Sequence, residues 1–381
     1  MVYFDHNATT PLLPQARQAW LDATERFSGN PSSPHRLGAR ADAALNEARE
    51  NLAAHLRCDA TELLFTSGAT ESSNTVLNAI AHDGDPDAEV WISAIEHPCV
   101  LVPAQFHFGK RLRLIPASRS GVVDLNFLST ELNRSRPALV AIMAANNETG
   151  ALQPWREALA LCREHGIPFF CDAAQWMGKL PAAGLGACDW VSGCAHKFGG
   201  PRGVGFLKVP RARWTPLLHG GPQEEQRRPG TENVASVLSM MAALDVREVM
   251  IGENLHAPLA AARDAFEREL LNVLPGSEIV SAQAPRLWNT CAALMPDADC
   301  QQRWVVKLDK LGFAVSTGSA CASGKEEPSH VVRAMNYGNA EAARMLRFSA
   351  GWETPVKDWR KLPDALRSVA EFALATPNVV R

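Results

Sequence analysis

Short apolar runs alternate with longer stretches of three-to-four-residue periodicity along most of this chain. Leu63-Leu64-Phe65-Thr66-Ser67 reads as a buried strand that runs into Gly68-Ala69-Thr70-Glu71-Ser72 and a helix to about Ala81. Further strands are predicted over 90–95, 111–116, 138–144, 167–171, 189–193 and 203–209, with helices near 99–108, 124–134 and 154–165 between them. Such alternation implies a mostly parallel sheet covered on both faces, an α/β fold. Before it lie a Gly/Pro/Ser loop over 29–35 and an alanine-rich helical pattern over 39–56. After it the pattern is helical from Gly230 to about Leu274. Shorter strands near 278–281, 289–295 and 345–350, with helices near 300–311 and 357–375, then predict a smaller α+β domain. The division expected is a large domain of residues 11–255 and a small one of 1–10 with 256–381, bridged by a long helix rather than a flexible linker.

Composition narrows the class without naming a reaction. A chain of 381 residues with 46% hydrophobic and 21% charged residues has the make-up of a globular enzyme able to bury a large core. The net charge of −3 gives no electrostatic case for nucleic acid or an acidic membrane surface. No apolar run approaches the roughly 20 residues of a membrane span, and Met-Val-Tyr-Phe-Asp-His does not open like a secretory signal. A cytoplasmic protein is expected. The nine cysteines form no C-x-x-C pair and are odd in number, which argues against a disulfide framework or a closed metal site.

The candidate chemistry sits where apolar runs end. Trp190-Val191-Ser192-Gly193-Cys194-Ala195-His196-Lys197 breaks at once into Gly199-Gly200-Pro201, and open α/β sheets present side chains to ligands at such strand ends. A lysine boxed in there either snorkels to water or loses its proton and becomes a nucleophile able to form a Schiff base. Ser67-Gly68-Ala69-Thr70 is either a cup for an anion at a helix start or an ordinary N-cap. Asp172, after Pro168-Phe169-Phe170-Cys171, is either an N-cap or the partner of a protonated ring nitrogen. Glu96-His97-Pro98 and Asn146-Asn147-Glu148 close two more strands. Anion cup, ring-nitrogen partner, stacking imidazole and Schiff-base lysine together describe a pyridoxal 5′-phosphate site. Cys321 lies among small residues, Ser316-Thr317-Gly318-Ser319-Ala320-Cys321-Ala322-Ser323-Gly324, which suits a thiol presented on a mobile loop at about 316–330. Arg347, a charge inside Met345-Leu346-Arg347-Phe348-Ser349, either bridges a structural acid or forks onto a substrate carboxylate.

In their order these segments resemble the cysteine desulfurases of group I, in the class V aminotransferases, whose fold is the pyridoxal 5′-phosphate transferase fold type I. The resemblance runs from Phe4-Asp5-His6-Asn7-Ala8-Thr9-Thr10 through His196-Lys197 and Arg228-Pro229-Gly230-Thr231-Glu232-Asn233 to Ser329-His330. It implies that Lys197 binds the cofactor covalently and moves protons, that Asp172 pairs with the pyridinium nitrogen, and that His97 stacks on the ring. Asn147 and Gln175 would bond the phenolic oxygen or the substrate carboxylate. Ala69, Thr70, Cys194 and His196 would hold the phosphate, with Thr231 from the partner of a homodimer. Arg347 would take the carboxylate of L-cysteine, and Cys321 would collect its sulfur as a persulfide for an acceptor protein, an iron–sulfur scaffold or a thiolation relay. No metal is implied. Cys194 departs from the serine usual in the family, and a thiol is the poorer donor. The alternatives are a selenocysteine lyase or other class V enzyme, and a non-catalytic scaffold or thiol relay.

Overall fold

The computed structural model describes residues 1–297, 301–318 and 328–374. In chain order the first half runs β1 (Val2–Tyr3), α1 (Pro14–Arg26), α2 (Arg36–Leu56), β2 (Leu63–Thr66), α3 (Ala69–Asp83), β3 (Val90–Ser93), α4 (Pro98–Phe108), β4 (Leu112–Ile115), α5 (Leu125–Leu132), β5 (Leu139–Ala141), α6 (Trp155–Glu164), β6 (Phe169–Asp172), β7 (Trp190–Cys194) and β8 (Gly205–Lys208). The remainder comprises α7 (Val234–Gly252), α8 (Ala257–Val273), β9 (Glu278–Ile279), β10 (Thr290–Leu294), α9 (Gln301–Lys310), β11 (Phe313–Ala314), α10 (His330–Ala334), α11 (Asn339–Ala342), β12 (Met345–Ser349) and α12 (Val356–Leu374).

Seven strands form one sheet in the order β2-β8-β7-β6-β5-β3-β4. The β3–β4, β3–β5, β5–β6 and β6–β7 pairs are parallel, whereas β8 runs against both β7 and β2. The expected mostly parallel sheet is therefore present, with β8 as its reversed strand. Successive strand residues point to opposite faces, and the core divides accordingly. Phe169, Cys171, Val140, Val191 and Phe206 pack on one face with α1, α2, α6 and α7. Phe170, Leu139, Ala141, Trp190 and Leu207 pack on the other with α3 and α4. Burial on both faces is why these strands read as apolar runs without alternation.

The helical region after Gly230 is not one long helix. It breaks between Gly252 and Ala257, where Asn254 takes φ 55° and Pro258 opens the next helix. Beyond the break, β12, β10 and β9 form a three-stranded antiparallel sheet, packed with α8 and α12 around Phe266, Leu270, Phe348, Trp359 and Leu362. The N-terminus joins this second core. β1 pairs in parallel with β11, Asp5 bridges to Ser349, and Phe4 is fully buried with its ring 4.6 Å from that of Trp359. From there residues 7–13 cross to the large sheet: Thr10 N–H donates to His196 O at 2.8 Å and Leu13 N–H to Gly199 O at 2.9 Å. Phe4 thus pins the strand that carries the next residues over the sheet edge. Phe4→Ala is expected to cost about 3–5 kcal/mol, read as a lowered urea midpoint. A loss below about 1 kcal/mol by the same measurement would contradict this role.

Candidate active site

Five connections at the C-terminal edge of the large sheet converge on one cavity of about 510 Å³, within the range of small-molecule sites. Ala69 and Thr70 follow β2, His97 follows β3, Asn147 follows β5, Asp172 ends β6, and Cys194, His196 and Lys197 end or follow β7. Gln175 and Arg347 line the same cavity. The structure brings together all of the predicted site residues except two. Thr231 is exposed and lies outside this chain's cavity lining. Cys321 lies outside the described residues.

The β2–α3 corner is shaped by two glycines. Gly68 has φ 148°, a conformation L side chains rarely adopt. A Cβ on Gly205 would come within 2.7 Å of Gly68 Cα, so β8 abuts this turn only because it has no side chain there. The corner leaves the first N–H groups of a 15-residue helix facing the cavity. Thr66 and Ser72 exchange a hydroxyl hydrogen bond of 2.9 Å beneath it. Glu71 accepts from Ser67 N–H at 2.8 Å and pairs with Arg228 at 2.7 Å, fixing the first turn from outside.

Lys197 is the chemical centre. Its Nζ donates to the main-chain oxygens of Asn7 (2.6 Å) and Ala8 (2.9 Å). Burial pushes this amine below its ordinary pKa and the Arg347 guanidinium pushes the same way, while Cys194 and Asp172 oppose. The amine thus turns onto the main chain of the N-terminal segment. Asp172 Oδ1 accepts from Ala174 N–H (2.9 Å) and Ser192 Oγ–H (3.1 Å), whereas Oδ2 accepts from the weak Cys99 thiol donor at 3.8 Å. The carboxylate thus caps the turn after β6 and still offers an oxygen to a cation. The His97 imidazole accepts from Cys99 N–H through Nδ1 at 3.1 Å, and burial lowers its pKa against the pull of Asp172. Burial holds the Cys194 thiol up at about 11, in its neutral form.

Arg347 sits at the cavity wall between the two cores. Its side chain is 1% exposed, with Nη2 on Asp5 Oδ1 at 2.6 Å and Nη1 on Asn147 O (2.9 Å) and Gly318 O (3.0 Å). It does bridge an acid, yet it also lines the cavity, and its Nε has no hydrogen-bond partner among the described residues. Several further lining residues stood in the segments quoted for the resemblance but carried no assigned role. Asn7, Ala8 and Thr9 arrive from the other end of the chain. Glu148, whose Oε2 accepts from Ser329 Oγ–H at 2.5 Å, and His330, whose Nε2 donates to Glu96 O at 2.8 Å, tie the rim to the N-terminus of α10. The repeated polar residues Asn146-Asn147-Glu148-Thr149 were the only local signal for that rim.

The donor set fits pyridoxal 5′-phosphate. An amine able to shed its proton, a carboxylate oxygen without a strong donor, an imidazole and a helix start occupy one cavity of sufficient size. Among the described residues no cluster of ligands could hold a metal ion.

Comparison with known proteins agrees. Residues 2–362 match the Aminotransferase class-V family. The chain belongs to the class-V aminotransferases, on their cysteine desulfurase branch. The cysteine desulfurase of Enterobacter agglomerans is 38% identical over 358 residues, covering 91% of this chain and 87% of that protein. The cysteine desulfurase IscS of Dictyoglomus turgidum is 35% identical over 376 residues, covering 97% and 94%. The NifS-like protein from Rickettsia africae superposes with a TM-score of 0.86 at 29% identity, covering 97% and 99%. The fold is that of the type I pyridoxal 5′-phosphate enzymes, and pyridoxal 5′-phosphate is the cofactor.

Burial also makes stability depend on pH. His6 and His196 have pKa values lowered to about 4 from 6.5, chiefly by desolvation. The unfolded chain therefore takes up protons that the folded one refuses, and stability is lost as pH falls from about 6.5 to about 4. The urea midpoint is expected to be lower at pH 5 than at pH 7, and His6→Gln to shrink that difference. An unchanged difference in the variant would contradict the assignment.

Proposed function

We propose that this chain is a cytoplasmic, homodimeric cysteine desulfurase that moves the sulfur of L-cysteine onto Cys321 and then to an acceptor protein, an iron–sulfur scaffold or a thiolation relay. The observation that carries the reading is the Lys197 amine, seated on two main-chain carbonyls and held below its ordinary pKa by burial, inside the cavity that also contains Asp172, His97 and Arg347. Pyridoxal 5′-phosphate, when bound, supplies a carbonyl for the amine and an electron sink for bond cleavage next to the amino group. Residues 11–255 would form the cofactor-binding domain, and residues 1–10 with 256–381 the small domain bearing Cys321.

The protein's own groups divide the remaining work. Lys197 would hold the cofactor through its amine and would serve as the base at the substrate Cα, with the Asn7 and Ala8 carbonyls receiving its N–H groups. Asp172 Oδ2 would hold the ring-nitrogen proton of the cofactor, strengthening it as an electron sink. His97, whose pKa burial lowers, would stack on the ring and accept a proton from the substrate. Asn147 and Gln175 bond an oxygen of the cofactor or substrate. Ala69, Thr70, Cys194 and His196 receive the phosphate, and Thr231 serves the partner's site. Arg347 binds the substrate carboxylate, sharing its charge with Asp5. Cys321, as thiolate, attacks the substrate sulfur. An S–S bond forms as the C–S bond breaks, the electron pair passes to the carbon skeleton, and protonation gives alanine and an enzyme persulfide. No outside oxidant is required. Gly318, three residues earlier in the sequence, accepts from Arg347 Nη1 at 3.0 Å.

After borohydride reduction, Lys197→Ala is expected to retain no covalently attached cofactor by mass spectrometry; a retained adduct would sink the lysine assignment. Cys321→Ser should keep its cofactor but yield no persulfide from L-cysteine, and normal alanine plus sulfide output from that variant would remove Cys321 from the reaction. Arg347→Ala should raise the KM for L-cysteine about tenfold or more, whereas a change confined to the melting temperature would make the arginine purely structural.

A further inference from the structure

Lys179 is a second amine near the site, and no anion pairs with it among the described residues. It lies on the turn after β6, is 3% exposed, and donates through Nζ to two neutral amide oxygens, Asn7 Oδ1 at 3.0 Å and Gln175 Oε1. Burial pushes it well below the usual lysine range. Both oxygens can only accept, so each takes an N–H of this amine. Its backbone is clamped as well: Trp288 Nε1–H donates to Lys179 O at 3.0 Å and Trp352 Nε1–H to Gly178 O at 2.9 Å.

The consequence falls on Gln175, which is 4% exposed and lines the cavity. Its oxygen is taken by Lys179. One N–H goes to the main-chain oxygen of Asn7 at 2.9 Å, a group that can only accept. Both contacts set the amide the same way round, leaving the second N–H as what Gln175 has for the cavity. Asn7 is fixed similarly: its oxygen also accepts from Asn289 Nδ2 at 3.1 Å, and its own Nδ2 donates to Thr290 Oγ1 (2.9 Å) and Asn147 O (3.1 Å).

We infer that Lys179 is a positioning residue that makes Gln175 a donor-only group toward the cavity, so that the ligand atom beside it is a hydrogen-bond-accepting oxygen. This rests on the pyridoxal 5′-phosphate reading, under which that oxygen is either the phenolate of the cofactor or the carboxylate of the substrate. Lys179→Met leaves Gln175 Oε1 unpaired and free to turn inward, where it repels such an oxygen.

The experiment measures two quantities on the full-length protein. One is the Kd of pyridoxal 5′-phosphate for the cofactor-stripped chain, which senses the phenolate. The other is the KM for L-cysteine at saturating cofactor, which senses the carboxylate. Lys179→Met is expected to raise one of them about tenfold, and which one rises identifies the oxygen. The same loss should be absent when Lys179→Met is added to Gln175→Met, because the two residues act as one unit. If Lys179→Met fails to fold, Gln175→Glu gives the same test, since it keeps an oxygen for Lys179 but removes the N–H; the same tenfold loss is expected. Both quantities within twofold of wild type, with only the melting temperature changed, would overturn the inference. A wild-type chain that does not bind pyridoxal 5′-phosphate would instead overturn the functional reading beneath it.

Discussion

The hydrogen bonds from Lys197 Nζ to the carbonyls of Asn7 and Ala8 join three parts of the molecule at one atom. The lysine comes from the end of β7 in the large sheet. The carbonyls come from an N-terminal segment whose preceding residues belong to the second core, through β1, Phe4 and the bridge from Asp5 to Ser349. Asn7 then reaches Thr290 and Asn289 with its side chain and Ser349 with its N–H. The site is therefore not an attachment to a finished sheet. It exists where two separately packed cores are stitched by a few buried polar residues, and desolvated polar groups of this kind are costly unless every partner is in place.

That stitching explains the electrostatics. Two amines, Lys197 and Lys179, a guanidinium, Arg347, and several thiols are gathered in little space, and burial drives the amines and thiols toward neutrality. Arg347 keeps an anion, Asp5, at 2.6 Å. The amines instead rest on neutral oxygens. Neutral oxygens stabilise an N–H without fixing a positive charge, the condition under which an amine stays available as a nucleophile.

The legible part of the chain was the part governed by nearest neighbours. Lys197, Asp172 and His97 stood out because each polar residue ends an apolar run, and parallel topology carries such ends to one edge. The direction of β8 was not legible, since an apolar run has no polarity. Nor was the break after Gly252 given its weight, although Gly252 and Pro258 flank it. Arg347 was visible as an anomaly, but its partner Asp5 is 342 positions away. Asn7 was given no role and Lys179 was not noticed for the same reason: their surroundings are assembled from segments far apart in the chain, and no window of sequence contains them.

The pairing of β1 with β11 and of Asp5 with Ser349 carries a consequence for biogenesis. During synthesis the first residues emerge long before the strands that receive them. The large sheet has all its strands once Lys208 has been made, but the dock for its lysine waits until β12 has left the ribosome. A nascent or prematurely terminated chain thus presents the lysine without its carbonyl seat, and the finished catalytic pocket appears only when the polypeptide closes on its own beginning.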